Sequence, residues 1–112
     1  MWADFADGKK DSEIRKYARA IKRVRPYQVI VLIGFEPDLY VPEVNGEGHE
    51  KNRGTPEEYV AMYNHFLDIF EKMKVTNAVY AVDYAWEIRD YPDLAVRLWP
   101  GPRVDWLFFH VY

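Results

Sequence analysis

The chain has 112 residues, of which 49% are hydrophobic and 17% aromatic, which excludes an intrinsically disordered chain and predicts one globular domain with a core. The formal net charge of −3 argues against nucleic acid as a partner, and the absence of cysteine excludes disulfides and thiol catalysis. No stretch reaches the roughly 18 apolar residues of a membrane span, so we expect no membrane partner either.

The N-terminal third predicts a helix followed by a strand. Residues 1–11 lack the basic start and the apolar centre of a signal peptide. Asp11 or Ser12 can cap a helix that Pro26 ends, and its apolar positions recur at three- and four-residue spacing. These positions are Ile14, Tyr17, Ala18, Ile21 and Val24. The uninterrupted apolar run within residues 27–34 then predicts a strand that is buried on both faces, as in a parallel sheet.

Glu36 lies just past the C-terminal end of this strand and is the first candidate for a catalytic residue. In α/β barrels the active site is built at that end, because the loops that leave it form the concave face. The alternative is a structural carboxylate that holds down the loop behind it.

A long polar segment, residues 35–54, separates the first strand from the second helix. It exceeds the two to six residues usual for such a connection, and loops of that length in compact domains are commonly functional. The second helix has the strongest signals in the sequence: Thr55 as N-cap, Pro56 at the first position and Glu58 closing a capping box. Its apolar stripe consists of Tyr59, Met62, Tyr63, Phe66, Ile69, Phe70 and Met73.

Two further strands continue the alternation of helix and strand. Residues 77–82 predict a second buried strand, a short helix follows around residues 92–98, and residues 104–112 predict the third strand. Four polar or aromatic residues stand just past the second strand: Asp83, Tyr84, Trp86 and Glu87. This order of elements is typical of right-handed parallel units.

The predicted fold class is α/β, with parallel strands alternating with helices as part of a TIM (β/α)8 barrel. Three strands do not close a barrel, which needs eight strands and at least about 200 residues. A small open sheet is the alternative, and its unpaired edges would allow copies of the chain to associate. We therefore interpret residues 1–112 as a single incomplete barrel segment.

Five motifs in this order resemble glycoside hydrolase family 26, which contains endo-β-mannanases. They are GFEPD at residues 34–38, the glycine-rich loop after it, TPEEYV at residues 55–60, TNAVYAV at residues 76–82 and VDWLFFHVY at residues 104–112. The resemblance covers nearly the whole chain, from about the third helix of the barrel to the sixth strand. It implies that Glu36 is the acid/base glutamate and that Tyr112 is a supporting tyrosine near the end of the sixth strand. The family's nucleophilic glutamate follows a seventh strand, which this sequence does not contain.

The ligand implied by this resemblance is a β-linked polysaccharide or oligosaccharide. Retaining glycosidases need two carboxyl groups, one to protonate the leaving oxygen and the other to attack the sugar. Sugar rings stack on aromatic faces, so Tyr40, Tyr84 and Trp86 are the candidate substrate-binding residues, with packing in a core as their alternative role. Phe35 and Val41 depart from the family, whose mannanases carry histidine and tryptophan at these positions. A catalytically inactive segment with a carbohydrate-binding or structural role is the alternative function.

We expect no cofactor and no metal. The long loop carries five side chains of the metal-binding type, namely Asp38, Glu43, Glu47, His49 and Glu50. Their spacing matches no calcium or zinc motif, so a solvated acidic loop is the better interpretation. His65 and His110 have no nucleophile or base beside them in the sequence, and we assign neither a catalytic role.

Overall fold

A computed structural model of the protein describes residues 1–110, which form five α-helices and three strands. The helices are α1 (Trp2–Ala6), α2 (Asp11–Arg23), α3 (Pro42–Asn45), α4 (Pro56–Lys72) and α5 (Pro92–Arg97). The strands are β1 (Val29–Leu32), β2 (Ala78–Tyr84) and β3 (Trp106–Phe109). Short 3-10 turns follow β1 and β2, at Pro37–Leu39 and Glu87–Arg89.

The three strands form one parallel sheet in the order β1-β2-β3, which confirms the predicted α/β alternation with adjacent parallel strands. Val29 pairs with Ala78 at one end of the sheet, and Tyr84 pairs with Phe109 at the other. β2 is longer than predicted, because it includes Asp83 and Tyr84. The sequence prediction placed both residues beyond the strand, since a charged residue normally ends a buried run.

Helices cover only one face of this sheet, and on that face they cover β1 and β2 but leave Leu107 and Phe109 of β3 50% and 49% exposed. Paired residues in a parallel sheet point to the same face, so the register assigns each side chain to a face. On the covered face, Val82 and Tyr84 belong to the core, and Val31 and Tyr80 pack against it. On the other face, which we call the open face, four large apolar side chains are 37% to 58% exposed: Ile30, Leu32, Trp106 and Phe108. The prediction that β1 is buried on both faces is therefore wrong for the described part of the chain, because no described helix covers the open face.

Helix α4 supplies most of the core on the covered face. The N–H of Glu58 donates to Thr55 Oγ1 at 3.1 Å, and the N–H of Thr55 donates to Glu58 Oε1 at 2.8 Å, so the predicted capping box is confirmed. The buried side chains of α4 include Tyr59, Met62, Tyr63, Phe66, Ile69 and Phe70 from the predicted stripe. Burial of one such large apolar side chain stabilises the fold by about 1.5–3 kcal/mol.

Helix α2 packs beside α4 through Ile14 and Ala18 and begins at Asp11. Asp11 is not its N-cap, because Lys10 occupies that position; the Asp11 carboxylate lies 2.6 Å from His65 Nε2 on α4 instead. The helices of residues 1–110 are too short or too polar to cross a membrane.

Candidate functional site

Three carboxylates are almost completely buried at the C-terminal edge of the sheet. The exposed fraction is 6% for Glu36, 0% for Asp38 and 1% for Asp83. Acidic side chains are rarely buried to this extent unless hydrogen bonds compensate for the lost hydration. The contacts of these three residues therefore define the candidate site.

Two tyrosines of α4 and one glycine fix the strand ends at this edge. The hydroxyl of Tyr59 donates to the carbonyl of Ile33 at 2.8 Å, and that of Tyr63 donates to the carbonyl of Ala81 at 2.9 Å. Burial raises the pKa of both tyrosines, so the hydroxyls remain protonated donors. Gly34 has φ +69° and approaches Tyr59 so closely that an added Cβ would lie 2.7 Å from the Tyr59 ring. The turn from β1 towards Glu36 thus requires glycine.

Glu36 lies at the C-terminal end of β1, as predicted, with its backbone in the left-handed region at φ 45° and ψ 59°. This conformation costs about 1–2 kcal/mol for a residue with a Cβ. The N–H of Glu36 donates to Asp83 Oδ1 at 3.0 Å. A buried hydrogen bond to the Asp83 side chain therefore stabilises the strained backbone of the candidate catalytic residue.

Asp83 also contacts His110. Its second oxygen, Oδ2, lies 3.0 Å from His110 Nε2. Asp83 pairs in register with Phe108, so its side chain belongs to the open face. A carboxylate on one ring nitrogen fixes the orientation of an imidazole. Neither residue was given a role from the sequence, and both belong to the site.

Phe35 forms an aromatic wall beside this pair. Its ring stands edge-on to His110 with a centroid distance of 5.7 Å, and more than half of Phe35 is exposed. The site is therefore bordered by an exposed apolar residue.

Asp38 joins the loop after β1 to the loop after β2. Its Oδ1 accepts from the N–H of Ala85 at 2.8 Å, and its Oδ2 accepts from the N–H of Glu87 at 3.1 Å. Burial raises the pKa of the Asp38 carboxyl group, and the backbone N–H groups act in the opposite direction. The interpretation of Asp38 as part of a solvated acidic loop is therefore wrong, because this side chain is fully buried.

The three predicted sugar-binding aromatic residues occupy different surroundings. Trp86 follows β2 and is 41% exposed. Tyr84 is 1% exposed on the covered face, and its hydroxyl donates to the carbonyl of Ala95 at 2.8 Å. The expectation that Tyr84 binds a sugar is corrected by this position, because a ring inside the core offers no face for stacking.

Tyr40 lines an apolar groove of about 650 Å³. The guanidinium of Arg53 stands over its ring at 5.7 Å. Among the described residues, the lining of this groove includes Phe35 and excludes Asp83, His110 and Trp86. A sugar that stacked on this face of Tyr40 would therefore displace Arg53.

Several predictions lie beyond these observations. Tyr112 is outside the described residues, so its supporting role stays a prediction. Within residues 1–110, no three acidic, histidine or cysteine side chains are placed to hold a metal ion.

No protein-family model matches the chain, and no curated protein matches it in sequence.

Proposed function

We propose that this chain is part of a (β/α)8-barrel glycosidase similar to family 26, with Glu36 as its general acid/base residue. The observation that carries the proposal is the position of Glu36. It is a buried glutamate at the C-terminal end of a parallel strand, and its backbone is held by Asp83 on the open face. That edge is where barrel enzymes build their active sites.

The open face supports the barrel part of the proposal. Parallel sheets almost always have both faces covered, because their strands are apolar on both sides. Here Ile30, Leu32, Trp106 and Phe108 are large apolar side chains that remain exposed. The interior of a closed barrel, which is packed with layers of such side chains, would bury them.

In the proposed reaction, Glu36 protonates the glycosidic oxygen as the bond to the leaving sugar breaks. A second carboxylate from another strand of the barrel attacks the sugar, and Glu36 then removes a proton from the water that hydrolyses the intermediate. Trp86 offers a platform for a sugar ring, and Tyr112 supports the site. Asp83 and His110 hold the Glu36 segment in place.

The test is Glu36→Gln in the full-length protein that contains this chain, assayed on β-mannan and on other β-glycans. Glutamine keeps the size of the side chain and cannot donate the proton, so kcat should fall about 10²–10⁴-fold. The loss should be smaller on an aryl glycoside whose leaving group needs no protonation, and azide should restore turnover by forming a glycosyl azide. Glu47→Gln, in the exposed part of the loop, is the matched control.

Equal turnover by Glu36→Gln and the wild type would reject the acid/base assignment. Binding of a sugar without any turnover, unchanged by Glu36→Gln, would favour the alternative of an inactive carbohydrate-binding segment. Residues 1–112 alone should hydrolyse no β-glycan, because the attacking carboxylate is assigned to another strand. Turnover by this piece, abolished by Glu36→Gln, would mean that another carboxylate of the chain completes the pair.

A further inference from the structure

Two buried aspartates hold the loop after β1 against β2 and the loop that follows β2. One aspartate lies in β2 and the other in the loop after β1, so each side supplies one acceptor side chain. Asp83 in β2 accepts the N–H of Glu36 at 3.0 Å. Asp38 in the loop after β1 accepts the N–H groups of Ala85 and Glu87, at 2.8 and 3.1 Å. We call these three hydrogen bonds the aspartate clasp. The clasp fixes the segment that carries Glu36 and the segment that follows β2 relative to each other.

The two donors to Asp38 lie on either side of Trp86. Trp86 is the N-cap of the 3-10 turn Glu87–Arg89, and its backbone is therefore fixed from both directions. Trp86 as a whole residue is nevertheless 41% exposed. A fixed backbone beneath a partly exposed aromatic residue is the arrangement that a preorganised stacking surface requires.

Two acceptor oxygens suit this position better than the oxygen and NH₂ group of an amide. Asp38 presents one oxygen to each of two N–H groups, whereas asparagine would turn an NH₂ donor towards one of them. Burial of the charge is costly, and burial raises the pKa of this carboxyl group. Because the two N–H groups that it binds flank Trp86, Asp38 restrains the backbone of that residue.

We propose that Asp38 is a positioning residue that fixes the Trp86 indole as the platform for a sugar ring bound beside Glu36. The proposal rests on the proposed function, because it takes the ligand to be a β-linked oligosaccharide. Asp38 lies two residues after Glu36, so one short segment carries the acid/base residue and holds the platform. The spacing between proton donor and bound sugar then depends on the clasp.

The test compares Asp38→Asn with Asp90→Asn in the full-length protein. Asp90 is the matched control, because it lies four residues after Trp86 with a side chain that is 58% exposed. Fluorotryptophan labelling gives a fluorine NMR signal for Trp86, which is assigned by its loss in Trp86→Phe. In the absence of ligand, this signal should shift or broaden in Asp38→Asn and stay unchanged in Asp90→Asn.

The second measurement is the affinity for mannohexaose and for cellohexaose by calorimetry. Asp38→Asn should weaken binding about tenfold, in line with the loss of one buried hydrogen bond. In a Trp86→Ala background the same substitution should cause no further loss, because Asp38 acts through Trp86. A merely structural role would weaken binding equally in both backgrounds, and that result would overturn the proposal.

The outcomes separate this inference from the proposed function. A wild-type protein that binds neither sugar would refute the proposed function and the role of Trp86 as a sugar platform together. An unchanged Trp86 signal in Asp38→Asn, with sugar binding intact, would refute the role of Asp38 alone. If Asp38→Asn does not fold, amide hydrogen exchange of the wild-type protein tests whether the aspartate clasp forms. The Ala85 and Glu87 amides should be strongly protected, and exchange at the rate of free amides would overturn the clasp.

Discussion

Gly34→Ala is the sharpest stability test of how the segment before Glu36 is built. Gly34 has φ +69°, and an added Cβ would lie 2.7 Å from Tyr59 Cε1 and 3.1 Å from the terminal methyl carbon of Met62. Tyr59 is fully buried, and its hydroxyl donates to the carbonyl of Ile33, so the ring cannot move away without losing that bond. The substitution therefore combines backbone strain with a steric clash.

The two contributions can be estimated separately. A left-handed backbone costs a residue with a Cβ about 1–2 kcal/mol. Forcing an extra carbon into a packed core costs typically about 1–3 kcal/mol. Gly34→Ala should therefore lower the free energy of unfolding by about 2–5 kcal/mol, which is a large part of the stability of a small domain.

Gly48→Ala is the control that isolates the clash. Gly48 has nearly the same φ, +72°, and no atom lies within 4 Å of the position of its Cβ. Gly48→Ala should therefore lower the free energy of unfolding only by the cost of the left-handed backbone, about 1–2 kcal/mol. Urea unfolding followed by circular dichroism measures both variants against the wild type. Equal losses in the two variants would refute the close approach of Tyr59 to Gly34.

Three further substitutions test the site by unfolding in urea. Asp83→Ala should destabilise the fold by about 1–3 kcal/mol, because the N–H of Glu36 loses its buried acceptor; a loss no larger than that of exposed Asp93→Ala would contradict this role. Tyr63→Phe should cost about 1 kcal/mol by removing the bond to the carbonyl of Ala81; no measurable change would argue against that bond. Burial raises the pKa of Asp38 above 3.8, so ionisation of this carboxyl group disfavours the fold. The free energy of unfolding should therefore fall as pH rises through the folded-state pKa of Asp38. Asp38→Asn should remove that fall across the acid range, and identical pH dependence in the variant and the wild type would refute the assignment.

Local signals predicted helix α4 and the sheet, and long-range contacts explain what was missed. The capping box between Thr55 and Glu58 lies within four residues, so the sequence alone defines the start of α4. Helix α1 has five residues and no periodicity to detect. It depends on distant partners: the N–H of Trp2 donates to the carbonyl of Arg53 at 3.0 Å, and the Trp2 ring packs on Tyr59 at 5.2 Å.

The candidate site was predicted only in part for the same reason. Glu36 was found because a strand end is visible in the sequence. Asp83 is predicted from the sequence to lie just past β2, although it continues the alternation of Val79 and Ala81 on the open face. Its partner His110 is 27 residues away, and the amides bound by Asp38 are 47 and 49 residues away. Such pairings become visible only when the register of the sheet is known.

Under the proposed function, the left-handed backbone of Glu36 lowers stability at a position whose side chain turnover requires. Glycine adopts this conformation without the cost of about 1–2 kcal/mol that a Cβ imposes. A library of variants sorted only for stability should therefore accumulate glycine at position 36, and a library sorted for turnover should retain glutamate. Among natural homologues, the residue at this position would then record which of the two pressures acted on each lineage.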